Sequence, residues 1–299
     1  MFLGGYMKIT NKFNVPDTLV ALAKNDTYTK GKADFSVTEI ISPPRVQRLR
    51  RKYWNEMESD VSDMLWQLLG SALHVVAERG QAEDCITEER LYVEVDGVTL
   101  SGAIDIQKVT PEGIIITDYK FTSAWALRQD KFEWAAQQNM YAWMVHKAKG
   151  QKVIGIQICA LIRDWVRREA QAKPDYPQAP IQVINLPLWD LEKTEQYVRD
   201  RINLHRDSKV AADFEEELPF CTEDEKWIRE TKYAVKKEGR KTAVKLFDEP
   251  IAAGELAHEV GGFVEIRKGE AVRCTGNFCG VSQWCSQYQA TLTEGNQDD

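Results

Sequence analysis

The stretch from residue 91 to residue 122 constrains this chain more than any other. Residues 91–95 (LYVEV) alternate apolar and polar side chains, Asp96-Gly97 is a hairpin turn pair, and residues 98–109 (VTLSGAIDIQKV) return as a second strand. Thr110-Pro111-Glu112-Gly113 makes the next turn, and the isoleucine run of GIIITDYKFT is that of a strand buried on both faces. The result is a three-stranded meander that the rest of the chain either feeds or covers.

A strand repeats every two residues, so Asp118 and Lys120 point to one side while Tyr119 faces away and leaves its carbonyl near them. Asp105 on the preceding strand is close enough across the hairpin to share a site with Asp118. Two carboxylates at a buried sheet end repel each other unless a hard divalent cation neutralises them, and Lys120 would then orient a water beside that ion. Upstream, Met64, Leu65, Leu68, Leu69, Leu73 and Val76 recur at helical spacing over 61–79 and predict an amphipathic helix against the sheet. His74 lies on it, and Glu78 and Glu89 read as outer carboxylates or as surface residues. Downstream, residues 130–148 predict a helix closed by Gly150, with Gln137 and Tyr141 on one face with Trp134. Residues 153–162 and 181–189 predict two more strands, and 191–210 a long helix.

Taken in order, Gly70-x-x-x-His74, Gly102-x-x-Asp105, Asp118-Tyr119-Lys120 and Gln137-x-x-x-Tyr141 resemble the PD-(D/E)xK nuclease superfamily. Within it they are most similar to the RecB-like branch, which includes the RecB nuclease domain, AddB-type nucleases and CRISPR-associated RecB-like exonucleases. The resemblance covers roughly residues 36–189. It implies an α/β fold with a restriction-endonuclease-like core, a central mixed β-sheet flanked by helices. It further implies Mg²⁺ or Mn²⁺ held by His74, Asp105, Asp118 and the Tyr119 carbonyl, with Gly70 letting the histidine helix approach the sheet. Lys120, Asp118 and Asp105 would act in catalysis, and Gln137 and Tyr141 would contact the DNA backbone and support the lysine. The activity implied is a DNA exonuclease working at ends, in recombination or repair, with a recombination or single-strand-binding protein as a partner. A structure-specific endonuclease and a non-catalytic DNA-end binding or adaptor module are the alternatives; the intact set of His74, Asp105, Asp118 and Lys120 speaks against the last.

The flanks divide the chain into an irregular segment (1–35), a nuclease core (36–212), a basic, cysteine-bearing C-terminal extension (213–290) and a disordered tail (291–299). Ser36-Val37-Thr38-Glu39 is a capping box, and Pro43-Pro44 stops the helix it opens. Residues 45–54 (RVQRLRRKYW) read as a solvated basic face or as a phosphate track. Residues 226–247, basic around three aromatics, read as a nucleic-acid contact or as a solvated helical hairpin. Cys274-x4-Cys279-x5-Cys285, with Cys221 as a fourth, has the arithmetic of a metal site. RecB-like relatives end in a similar three-cysteine run, spaced x2 and x5, that holds a [4Fe–4S] cluster. The x4 gap departs from it, as does Ser42-Pro43-Pro44-Arg45, where those relatives carry Cys-Pro-Arg. A cluster, a four-cysteine Zn²⁺ site and unligated thiols all stay open.

A formal charge of −7 argues against a general nucleic-acid coat, so DNA contacts must come from local basic patches. No run is apolar enough to span a membrane and the first residues lack a signal-peptide pattern, so a cytoplasmic location is expected. No G-x-x-x-x-G-K-[ST] is present, which leaves no nucleoside-triphosphate motor, and neither G-x-G-x-x-G nor G-x-S-x-G occurs.

Overall fold

The computed structural model describes all residues except 1–6, 26–29, 78, 81, 129–131, 277 and 296–299. Its strands are β1 (Lys8–Thr10), β2 (Phe35–Ser36), β3 (Glu58–Asp60), β4 (Cys85–Val95), β5 (Val98–Thr110), β6 (Gly113–Thr122), β7 (Val153–Ile162), β8 (Ile181–Leu186), β9 (Lys232–Lys236), β10 (Lys245–Phe247) and β11 (Phe263–Arg267). Its helices are α1 (Asp17–Lys24), α2 (Val37–Ile41), α3 (Pro44–Lys52), α4 (Leu65–Ala77), α5 (Phe132–Lys149), α6 (Arg167–Ala172), α7 (Leu191–Asp213), α8 (Glu223–Lys226), α9 (Pro250–Val260), α10 (Val272–Thr275) and α11 (Ser286–Gly295). They fall into two compact units, one of residues 1–42 and 54–210, the other of residues 43–53 and 211–299.

The first unit holds a six-stranded mixed sheet in the order β2-β5-β6-β7-β8, with β4 on β5. The β4–β5 hairpin turns at Asp96 and Gly97, both in the left-handed region (φ 51° and 71°), whose twist matches that of the strands it joins. β5 and β6 pair only from Ile106–Thr117 to Thr110–Gly113; beyond that they diverge, and β2 takes the edge of β5 at Leu100 and Ser101. That divergence makes a fork in the sheet. α5 crosses between the parallel strands β6 and β7, and its residues 136–145 are all buried, which places it in the centre of the core with Leu100, Ile104, Ile116 and Ile156. Gly102 permits this contact: a Cβ there would stand 2.8 Å from Tyr141 Cε1 and 2.9 Å from Met144 Sδ, so any larger residue would push α5 off β5. This is a restriction-endonuclease-like α/β core.

The second unit carries a three-stranded antiparallel sheet in the order β10-β9-β11, covered on one face by α9 through Val235, Ala253 and Ala257. The β9–β11 ladder continues beyond the strands, with Arg229 N–H donating to the Glu270 carbonyl at 3.1 Å and a bridge between Ile228 and Ala271. Paired arms therefore lead from the sheet toward Cys221 and Cys274.

Several expectations change. Residues 8–35 are not irregular throughout, since they contain β1 and α1. Residues 45–54 are a solvated face only in part. Residues 44–52 form α3 in the second unit, where Arg45 is 1% and Arg48 8% exposed while Arg50, Arg51 and Lys52 face solvent. The Arg45 guanidinium donates to the Pro219 carbonyl (3.1 Å), Ser286 Oγ (2.9 Å), Glu217 and the Leu218 carbonyl, and lies 4.9 Å over the Phe220 ring. Residues 226–247 form no helical hairpin, because the β-branched and aromatic residues around Ala234 select the β9–β10 strand pair. Two of their lysines already have carboxylate partners, Lys232 at Glu230 and Asp248 and Lys236 at Glu265. The tail expected from residue 291 is helical to Gly295, and 296–299 lie outside the described residues. Asp130, the expected start of the α5 helix, also lies outside them.

Candidate active site

Asp105 and Asp118 stand one position beyond the last β5–β6 pair, each on its own arm of the fork. Both are buried, 7% and 3% exposed. Divergence frees the Tyr119 N–H to donate to Asp105 Oδ2 at 2.8 Å. Burial first, then the Asp118 carboxylate, pushes the Asp105 carboxyl up from its ordinary range, with His74 the main opposing charge. Lys120 Nζ lies 2.7 Å from Asp118 Oδ2, close enough to pair charges but without hydrogen-bond geometry, so this buried oxygen has no hydrogen-bond partner among the described residues.

On the α5 side, Lys120 Nζ donates to Gln137 Oε1 at 2.9 Å and Gln137 Nε2 donates to Tyr141 Oη at 3.0 Å. Gln137 and Tyr141 are buried, 8% and 4% exposed, so they face the lysine from within the core and not from the surface. From the α4 side, His74 Nδ1 is 3.6 Å from Asp105 Oδ1 and 3.2 Å from Glu88 Oε1. The ligand atoms of His74, Glu88 and Asp105 all lie within 4.8 Å of one another, the one such group among the described residues. The Tyr119 ring meets His74 edge-on at 6.4 Å, which is where an alternating strand would put it.

Glu88 is the residue that sequence reasoning misses. On the β4–β5 ladder the pairs Thr87–Ile106 and Glu89–Ile104 are formed, while Glu88, opposite Asp105, is unpaired and has φ 51°. A left-handed glutamate inside a strand is strained, and strain of this kind collects at functional sites. Its position opposite Asp105 was the available signal. Glu89, by contrast, takes hydrogen bonds from Gln107 and Lys149, both at 2.6 Å, and serves packing; Glu78 lies outside the described residues. The expected reason for Gly70 also fails, since a Cβ there would meet nothing within 4 Å. α4 lies along β6, with Leu68 and Leu73 half-buried, but it fully buries none of its side chains, and Leu65, Leu69 and Val76 of its apolar stripe stay exposed.

The donor set fits a hard divalent cation: two carboxylates that repel each other, a third carboxylate and an imidazole nearby, and a buried carboxylate oxygen lacking a donor.

In the second unit, Cys221, Cys274, Cys279 and Cys285 all line one cavity of about 300 Å³. The Cys221 thiol is pushed up to about 12 by burial, then by Glu225 and Cys285, and Cys274 is raised by burial, Cys279 and Cys285. Arg45 Nη1 stands 4.0 Å from Cys285 Sγ. No three of these sulfurs come within 4.8 Å of one another. A single tetrahedral Zn²⁺ with Zn–S bonds of 2.3 Å would hold them about 3.8 Å apart. The donors suit a thiophilic centre. Cys85 and Cys159 lie elsewhere, on β4 and β7.

Residues 32–286 match the family model described as the PD-(D/E)XK nuclease superfamily. No curated protein matches the sequence. Among solved structures, SSO0001 is 18% identical with a TM-score of 0.43, over 63% of this chain and 85% of that one. A Eubacterium rectale protein described as a candidate exonuclease is 13% identical with a TM-score of 0.29, over 55% of this chain and 56% of its own. No helix among the described residues is long and apolar enough to cross a membrane.

Proposed function

The chain belongs to the PD-(D/E)XK nuclease superfamily, and from that membership we propose that it is a Mg²⁺- or Mn²⁺-dependent DNA exonuclease of the RecB-like kind, acting in recombination or repair. The observation that carries the reading is the fork, where Asp105, Asp118 and Lys120 meet at the divergence of β5 and β6. His74, Asp105, Asp118 and the Tyr119 carbonyl would hold the cation, joined by Glu88. The chemistry such an ion supplies is polarisation of the phosphate and acidification of a water. Lys120 holds its ammonium at a fixed point, directed by Gln137, which Tyr141 in turn orients. From there it positions the attacking water and stabilises the charge that grows on the phosphate oxygens in the transition state. Asp118 holds the ammonium close, at 2.7 Å.

The four cysteines would hold a [4Fe–4S] cluster with a structural role in the second unit, a reading supported by the cavity that all four line. The partner we infer is DNA, with a recombination or single-strand-binding protein supplying the ends.

A linear duplex, a single strand and a nicked circle, each end-labelled and incubated with Mn²⁺, test the activity. Release of nucleotides from linear DNA with the circle untouched supports an exonuclease. Internal cuts at the nick point to the endonuclease, and binding without cleavage to the adaptor module.

A further inference from the structure

We infer that Trp66 and Arg163 form a stacking platform for an unpaired nucleobase of the DNA strand entering the site, an inference that rests on the nuclease reading above. Trp66, in the first turn of α4, is 47% exposed. The Arg163 guanidinium lies 4.6 Å from the centre of its ring, and Phe121 backs it at 6.1 Å with the planes 39° apart. Phe121 directly follows Lys120 on β6. α4 thus runs along the β6 face that bears Tyr119 and Phe121, with His74 at one end and Trp66 at the other. The two are eight helical positions apart, about 12 Å, the length of a few nucleotides.

Arg163 is fixed in place by its strand end. Its N–H donates to the Thr122 carbonyl at 2.9 Å, and the next residue, Asp164, accepts the Ala124 N–H at 2.7 Å. The same bond ties down the turn carrying Trp125, which is 58% exposed. Arg167 and Arg168 follow, both exposed. In a chain of net charge −7, an arginine on an exposed tryptophan, with two more exposed arginines four and five residues on in sequence, is a basic and aromatic combination of the kind that binds single strands through stacking and backbone charge. An exposed ring can receive a base only once that base has left its own stack. A guanidinium on the ring adds the charge that a sugar–phosphate chain meets, which a purely apolar patch would lack.

The experiment measures equilibrium binding in EDTA, where no cleavage occurs, of fluorescein-labelled blunt duplex, duplex with a short single-stranded overhang, and the same overhang made abasic. Wild type, Trp66→Ala and Trp66→Phe are compared, with circular dichroism and thermal melting confirming that each is folded. We expect Trp66→Ala to weaken binding of the intact overhang roughly tenfold and Trp66→Phe to restore most of it. On the abasic overhang the variants and wild type should bind alike, as in a double-mutant cycle. Equal loss on intact and abasic DNA, or no loss at all, overturns the platform. So does unchanged binding with a shift from oligomer to monomer on sedimentation, which would make this face a self-association surface. Wild type that cleaves DNA while Trp66→Ala binds normally sinks this inference alone. Wild type that neither binds nor cleaves any of these DNAs sinks the nuclease reading with it.

Discussion

Lys120 is the residue whose surroundings are most completely built. Its ammonium sits between Asp118 Oδ2 at 2.7 Å and Gln137 Oε1 at 2.9 Å, so its position is set before any substrate arrives. Lys120→Ala should lower cleavage by about 10²-fold or more while Mn²⁺ binding, followed by calorimetry, is kept; Asp118→Asn should lose both. If Lys120→Ala cleaves at the wild-type rate, the lysine has no part in the chemistry. The period of two makes Asp118 and Lys120 legible from sequence, and it hides Glu88 for the same reason. Leu91, Val93 and Val95 are buried, so alternation puts Glu89 on their face and makes it the natural acidic candidate, yet Lys149 and Gln107 occupy it. The left-handed turn of the backbone at Glu88 breaks the alternation, and no residue type announces it. Glu88→Gln keeps the size and removes the charge, so Mn²⁺ binding should weaken several-fold with little change in apo stability. An unchanged Mn²⁺ isotherm would leave Glu88 as a partner of His74 only.

At the scale of elements, periodicity reads out existence better than burial. β7 is legible to the residue from its apolar run, and the end of α5 from Gly150, whose left-handed backbone (φ 66°) closes the helix. α4 and α3 each depart in part from their own patterns. The apolar spacing of α4 suggests a buried stripe that the structure only half covers, and the arginines of α3 suggest a solvated face of which the structure buries Arg45 and Arg48, Arg45 because it finds carbonyl and carboxylate partners in residues 217–219. A buried guanidinium is predictable only once its distant acceptors are known. α7 is fastened to α5 through Glu195, which meets Lys147 at 2.7 Å, Arg199 at 2.8 Å and the buried Trp143 indole N–H at 3.4 Å. Hydrogen bonds from Lys147 and then Arg199 hold the Glu195 carboxyl down at about 2. A carboxyl held below its unfolded value adds stability that is fully present above about pH 4.5 and is lost as the pH falls toward 2. Glu195→Gln should therefore cost about 1 kcal/mol at neutral pH, read by urea unfolding. The gap between wild type and variant should close as the pH is lowered through that window. A gap that stays constant down to pH 2 would assign the cost to packing and not to charge.

For the whole molecule, the second unit's sheet buries a small apolar core among the described residues, Val235, Ala253 and Ala257, with Tyr233, Val244, Phe247, Leu256, Val260 and Val264 packed half-buried around it. Small units with little core are commonly fastened by a metal centre. Cys221 is far in sequence from Cys274, and spacing alone gives no reason to join them. The paired arms through Arg229–Glu270 and Ile228–Ala271 bring both to the one cavity, which is why the fourth cysteine is a guess in sequence and a placement in the fold. A thiol pushed up to about 12 is a poor ligand as it stands, so loading must displace its proton, and the charge of the bound centre would supply the driving force. Protein purified without oxygen should accordingly be brown, with iron and sulfide in the amounts of a four-iron cluster, and Cys285→Ser should bleach it. Because a clasp at Cys221 closes a loop that includes the whole small sheet, the bleached variant should be cut by protease within residues 211–299, whereas residues 54–210 keep their protection and their own melting transition. Zinc without iron would keep the clasp and require the sulfurs to close to about 3.8 Å. Neither metal, with a protease pattern unchanged by Cys285→Ser, would leave four ordinary thiols and a unit held by Arg45 and its sheet alone.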